Sequence, residues 1–332
     1  MSGDVILVTG GAGFVGSHAC KALAAAGYRP VVYDNLSRGH REAVKWGPLF
    51  EGDIRDRPRL EAVIREVRPA AVMHFAAFAY VGESMATPSM YFDNNVTGTA
   101  RLLEAMRETG VTKLVFSSSC AIYGGVHATP IVEATPCDPA SFYGQTKLDC
   151  EQLIRGFVRH AGFRAIALRY FNAAGADPDG EIGEDHDPEP HIIPVVLRVA
   201  AGLDAKVTLN GSDHPTPDGT CVRDFVHVSD LAHAHVLALA RALLDDHRFE
   251  AFNLGVGKGH SLNEIVEAAR RVTGRPIPVV YTDRRAGDPP YAVGNAEFAQ
   301  ATLGWRPRHV DLDVAIDHGW RWMQRARPSQ AA

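Results

Sequence analysis

Tyr143 stands four places before Lys147 in the stretch FYGQTKL. Residues four apart on a helix share one face, so the pair reads either as a solvated face or as an acid–base device. A phenol is a poor base at neutral pH, with a free pKa of about 10. An ammonium one turn away favours the phenolate. Three serines, Ser117-Ser118-Ser119, close the apolar run Lys113–Phe116. In open α/β sheets ligands gather at the carboxyl ends of strands. A helix starting near Tyr143 follows that strand, so Ser119 and Tyr143 should meet over one crevice. There Ser119 can bond a reacting hydroxyl and relay its proton to Tyr143.

The other chemically expressive stretch is VTGGAGFVGSH, with Gly10, Gly13 and Gly16 spaced by three. It follows a short β-rich run and opens an apolar-periodic helix. A tight turn and close backbone approach to a pyrophosphate exclude side chains, and the helix start offers free N–H groups to the anion. That context reads as a dinucleotide site. Asp34 follows Gly16 by 18 residues and ends the second strand. A carboxylate there accepts the ribose hydroxyls of NAD and repels the 2′-phosphate of NADP. Arg38 nearby argues for NADP, but the strand-tip Asp34 weighs more, so the expected cofactor is NAD. Asp53 either reaches the adenine amino group or caps the next helix. An oxidised nicotinamide adds a second cation beside Tyr143. Lowering its pKa by roughly three units asks for about 4 kcal/mol, within reach of two cations in a partly dry site.

Alternating strands and helices must position these groups. Strands are expected at Val5–Val8, Val31–Asp34, Leu49–Asp53, Ala71–Phe75, Lys113–Phe116 and Arg164–Tyr170. Helices are expected at Phe14–Ala26, Arg59–Val67, Ser89–Glu108 and Tyr143–His160. That pattern predicts an α/β fold, a doubly wound, Rossmann-like parallel sheet covered on both faces. Residues 173 to 191, rich in Gly, Pro, Asp and Glu, read as a loop towards a second lobe. Beyond it come a strand at Arg223–His227, a helix at Ser229–Leu244, and a helix at Ser261–Thr273 with a Ser261/Glu264 capping box. The expected division is an NAD-binding domain over 1–175, to which 223–250 returns, and a smaller mixed α/β domain over 176–332.

The chain has 332 residues, 46% of them hydrophobic, and a net charge of −5. It carries no basic footprint for nucleic acid and no apolar stretch long enough for a membrane. Five scattered cysteines without a C-x-x-C fit reduced thiols and a cytoplasmic protein. No metal is expected. The nearest histidine pair, His233-Ala234-His235, has a spacing that points its rings apart on a helix.

TGGAGFVGSH, DNLSRG, HFAAFAYVGES, NNVTGT, FSSSCAIYG, YGQTK, LRYFNAAGA, PTPDGTCVRDFVHVSDLA, NLGVGKG and RRAGDPP occur in this order. Together they resemble the UDP-glucose 4-epimerases, a family of extended short-chain dehydrogenase/reductases, from Val5 to about Leu312. The resemblance implies reversible C4 epimerisation of UDP-glucose and UDP-galactose through a 4-keto sugar, with NAD recycled and the chain paired as a homodimer. It implies Tyr143 as base, Ser119 assisting, and Lys147 holding the nicotinamide ribose and tuning Tyr143. Cofactor contacts carry over to Phe14, Val15, Asp34, Asn35, Asp53, Ile54, Phe75, Ala76, Ala77, Asn94 and Phe171. Substrate contacts carry over to Asn172, Arg223, Arg285 and Asp288. Arg223 and Arg285 suit a diphosphate, the alternative for each being a salt bridge between domains.

This chain departs from the pattern at Ala79, Ala121, Phe142 and His191, where the family often has lysine, threonine, proline and a diphosphate-contacting asparagine. The resemblance aligns Ala292, or its neighbour Tyr291, with a position where the family's bulky tyrosine narrows the sugar pocket; with Ala292 there it implies room for an N-acetyl group and turnover of UDP-GlcNAc and UDP-GalNAc. HFAAFAYVGES also resembles the UDP-arabinose/UDP-xylose 4-epimerases. A dehydratase or decarboxylase would need an acid before Tyr123-Gly124, where Cys120-Ala121-Ile122 stand. A binding protein that senses NAD without catalysis would not need both Tyr143 and Lys147.

Overall fold

The computed structural model describes residues 3–125, 130–244, 246–285 and 288–326. Ala286 and Gly287 of the RRAGDPP motif, and the last six residues of the expected second domain, lie outside them. In chain order the strands are β1 (Val5–Thr9), β2 (Arg29–Asp34), β3 (Leu49–Glu51), β4 (Ala71–His74), β5 (Lys113–Ser119), β6 (Arg164–Tyr170), β7 (Asn172–Ala174), β8 (Val207–Asn210), β9 (Val222–His227), β10 (Phe249–Leu254), β11 (Gly259–Ser261), β12 (Val279–Thr282) and β13 (Tyr291–Ala292).

The seven-stranded sheet runs β10-β6-β5-β4-β1-β2-β3, and every pair in it is parallel. Its central strands are continuous apolar runs because helices cover both faces: Ile6, Leu7, Val8, Val72, Met73, Leu114 and Val115 are all fully buried. The strand order reverses between β1 and β4, which opens a crevice at their carboxyl ends. The glycine loop leaves β1 there, and the serine run ends β5 on the same edge.

Three elements differ from expectation. The stretch expected as one helix over Ser89–Glu108 is a short helix Pro88–Tyr91, a π-helical segment Phe92–Thr97 and a helix Gly98–Glu108. The Asn95 carbonyl accepts from the Thr99 hydroxyl at 2.6 Å and the Cys150 thiol at 3.3 Å. The regular i→i+4 ladder is therefore diverted where the chain crosses the site. The helix expected from Arg59 begins at Arg57, capped by Asp56, whose carboxylate accepts from the Arg59 amide at 3.0 Å. Finally, β9 joins β7, β11 and β13 in a smaller sheet, while the helix Val228–Ala242 packs on the first helix and β10 pairs with β6.

The smaller lobe has its own core, in which Val196, Leu197, Ile265, Ala269 and Ile316 meet. The Leu262–Thr273 helix carries the expected Ser261/Glu264 capping box.

Candidate active site

A cavity of about 1140 Å³ lies between the carboxyl edge of the large sheet and the smaller lobe. That exceeds the roughly 300–1,000 Å³ of an ordinary small-molecule pocket and suits two nucleotides side by side. At one end stands the glycine loop. Gly10 has φ +77°, and a Cβ there would lie 2.4 Å from the Ala76 amide nitrogen, so only glycine fits. A Cβ on Gly13 would meet nothing nearer than the Gly10 carbonyl at 3.5 Å. It would instead fill the space before the Phe14–Ala25 helix, where an anion can approach the free N–H groups.

Asp34 is buried at the tip of β2. Its two oxygens accept from the amides of Ala12 (3.0 Å) and Leu36 (2.8 Å), which fixes the carboxylate with a lone pair left on each oxygen. Burial pushes its pKa up, and these amides pull against that. Arg38 is engaged elsewhere: it pairs with Glu83 at 2.7 Å and stacks over Phe78 and Tyr80. The guanidinium that argued for NADP is thus already held.

Asn35, Ile54, Phe75, Ala76, Ala77, Asn94 and Phe171 line the same cavity as Gly10, Gly13, Phe14, Val15, Gly16 and Asp34. Asp53 lies outside that lining. Its carboxylate pairs with Arg55 at 2.7 Å and accepts from the Arg55 amide and the Asn35 side chain, and Arg55 before all holds its pKa down to about 2.

At the reacting end Ser119 closes β5 and Tyr143 stands in the first turn of the Phe142–Ala161 helix; both line the cavity, with Ser119 near enough to oppose the upward push on the phenol. The Ser119 oxygen also accepts from the Ala121 amide at 3.1 Å. Ser141 caps the helix by accepting from the Gly144 amide, and the Ser84 hydroxyl accepts from the Tyr143 amide at 3.0 Å. The phenol is thereby aimed from both sides.

Lys147 sits one turn behind, 3% exposed and not part of the lining. Its ammonium donates to the Ser117 carbonyl at 2.8 Å and lies 5.9 Å from the Tyr143 ring centre. Burial holds the lysine down to about 8. The spacing of Tyr143 and Lys147 predicts a phenol shifted downward, but the protein's own groups push it up. Burial is the chief cause, with Tyr170 adding to it and the Ser119 hydrogen bond opposing. A downward shift therefore requires positive charge brought into the cavity.

On the far side Asn172, His191, Arg223, Arg285, Asp288 and Ala292 complete the lining. Arg223 pairs with Asp288 at 2.5 Å, so two expected substrate contacts meet each other. Arg285 has Nε and Nη2 3.1 Å from the Asn210 amide, whose oxygen accepts from both in the orientation that satisfies the network. Ala292 belongs to β13, paired with β9 opposite Arg223. Of the two adjacent candidates, Ala292 lines the cavity and Tyr291 does not.

The sequence reading singled out neither Tyr80 nor Ser84, though both lie in HFAAFAYVGES, and it missed Asn210, which lies in no motif. It also missed His186 and Glu189, which line the cavity beside His191. Their signal was the density of histidine and carboxylate in EDHDPEPH, where only regular metal-ligand spacings were sought.

The family model of the NAD dependent epimerase/dehydratase family matches residues 6–255. A UDP-glucose 4-epimerase of Rhizobium meliloti (strain 1021) is 47% identical over 98% of this chain and 98% of its own. The crystal structure of a UDP-glucose 4-epimerase from Brucella ovis in complex with NAD superposes with a TM-score of 0.92 at 49% identity. It covers 96% of this chain and 98% of that one. A UDP-Glc/GlcNAc 4-epimerase from Campylobacter jejuni has a TM-score of 0.83 at 35% identity, covering 97% of this chain and 100% of its own.

Proposed function

The chain belongs to the NAD dependent epimerase/dehydratase family, and on that premise we propose how its cavity residues divide the work. The reaction is the reversible C4 epimerisation of UDP-hexoses, UDP-glucose and UDP-galactose, and the cofactor is NAD. The glycine loop, with its open space before a helix N-terminus, and the amide-fixed Asp34 fit a pyrophosphate and a ribose diol. When bound, NAD supplies the place where the C4 hydrogen is held between its two deliveries.

Tyr143 is the base. It takes the 4-hydroxyl proton as C4 becomes a ketone and returns it once the sugar presents its other face. Ser119, beside Tyr143 in the lining, relays that proton and orients the reacting oxygen. Lys147 is a positioning residue, setting the ribose side of the site and the field on the phenol from behind. Asn172, Arg223 and Arg285 hold the UDP portion, with Asp288 fixing Arg223 and His191 facing the diphosphate. The Ser119–Tyr143 pair, facing the cavity that begins at the glycine loop, carries this reading.

Ala292 in the lining favours a second substrate pair, UDP-GlcNAc and UDP-GalNAc. The test incubates purified protein with UDP-Gal, UDP-GlcNAc and UDP-Xyl, without added cofactor, and resolves the C4 epimers. Conversion of UDP-Gal and UDP-GlcNAc is expected. No turnover of UDP-GlcNAc where UDP-Gal turns over rejects the wider pocket, and a fastest UDP-Xyl reassigns the chain to pentoses.

We also infer a homodimer through the helices Gly98–Glu108 and Phe142–Ala161, beside which Met90 and Phe92 stand 37% and 47% exposed. Sedimentation should give twice the chain mass, and Phe92→Glu should give the monomer. A wild-type monomer at micromolar concentration rejects the pairing. No helix among the described residues is long and apolar enough to cross a membrane. The cysteines form no disulfide, and we place the protein in the cytoplasm.

A further inference from the structure

Residues 184 to 191 fold back so that four side chains converge: Glu184, His186, Glu189 and His191. Each offers one ligand atom, and the four atoms lie within 4.8 Å of one another. Nδ1 of His186 is 3.3 Å from Oε1 of Glu184 and 3.5 Å from Oε1 of Glu189. Nδ1 of His191 is 3.6 Å from Oε1 of Glu189 and in contact with Oε1 of Glu184. Bonds of about 2.0–2.1 Å to a tetrahedral ion require ligand atoms about 3.3 Å apart. Three edges of this tetrahedron already have nearly that length.

The charge pattern agrees. The side chains of Glu184 and Glu189 are 5% and 7% exposed, and the ion pairs they make run to the two imidazoles. Nδ1 of His186 is buried without a hydrogen-bond partner. The two imidazoles bind an ion in their neutral form, so loading the site releases any proton they carry. A second acidic group, Asp177, Asp179 and Glu181, shows the contrast: the Lys21 ammonium sits among those carboxylates at 2.6 to 2.8 Å and supplies their counter-charge.

We propose that Glu184, His186, Glu189 and His191 form a closed tetrahedral site for a divalent metal of the zinc class. Two imidazoles and two carboxylates suit zinc or cobalt(II), and four protein ligands make the site structural. His191 is the N-cap of the Ile192–Ala200 helix, and the rings of His186 and His191 pack edge-on against Tyr80. His186 also packs against Phe14 at the start of the first helix. The metal would clip the inter-lobe segment to the cavity rim. With Nδ1 of His191 on the metal, its Nε2–H is left as a fixed donor for an anion.

The test uses the untagged, full-length chain, stripped with a chelator and dialysed against zinc, then separately against cobalt(II). Expected are one tightly held equivalent per chain by elemental analysis and the intense visible absorption of a tetrahedral cobalt centre. His186→Ala and Glu189→Gln should each weaken binding beyond the roughly 10–100-fold typical of losing an outer partner. Glu189→Gln keeps the side-chain volume and serves where His186→Ala does not fold. Failure to retain zinc, the weak spectrum of an octahedral centre, or equal retention by the folded variants overturns the site. Neither readout depends on turnover, so the result stands apart from the epimerase assay.

Discussion

Tyr143 is held by Ser84 at its amide and lines the cavity beside Ser119, in surroundings that favour the phenol over the phenolate. Tyr143→Phe should abolish turnover and leave NAD bound, as read from activity and cofactor absorbance of one preparation; substantial activity would remove Tyr143 from the base role. Lys147 brings a charge 5.9 Å from the ring. Without it, in Lys147→Met, the pH–rate profile should move alkaline as turnover falls; a slower enzyme with an unmoved profile would mean that Lys147 acts through position alone. Ala292 sets width. Ala292→Tyr should spare UDP-galactose and reduce kcat/KM for UDP-GlcNAc by roughly 10–200-fold. Equal losses on both sugars would show that the substitution damages the site in general.

The π-helical segment Phe92–Thr97 carries two buried asparagines, Asn94 and Asn95. Asn94 lines the cavity. The Asn95 side chain accepts from the Phe78 amide at 2.8 Å and donates to the Phe78 carbonyl at 3.0 Å and the Thr146 hydroxyl at 3.1 Å. It therefore ties the segment after β4 to the helix that carries Tyr143. Asn95→Ala leaves the Phe78 peptide unpaired, at a cost of about 1–3 kcal/mol in stability. The loosened register should lower kcat by about a hundredfold. Denaturant titration and kcat, measured together, check this; a destabilised enzyme with normal kcat would confine Asn95 to folding.

Several histidines buried in the large sheet and the helices packed on it have a charge that the fold controls. Burial holds His74 down to about 3, and His18 and His235 to about 4. Their ordinary value is about 6.5. Between pH 6.5 and those lower values the unfolded chain binds protons that the folded chain refuses, so they erode stability as pH falls through that window. Unfolding free energy measured from pH 7 to 4 should therefore fall less in His74→Gln than in the parent chain. Identical slopes would show that His74 accepts a proton within the fold.

The sequence by itself determined the doubly wound sheet, because continuous apolar strands alternating with periodic helices can bury both faces in few other ways. It also determined the phosphate end, since glycine spacing and a strand-tip carboxylate are local requirements. Tyr143, Ser119 and Lys147 were legible for the same reason: a helix turn and a strand end set them. Only the tertiary structure decided what depends on partners distant in the chain. Arg223 is matched to Asp288 across 65 residues, and Ala292 rather than Tyr291 lines the cavity. The upward push on the Tyr143 phenol likewise follows from burial. No residue type or local period encodes it.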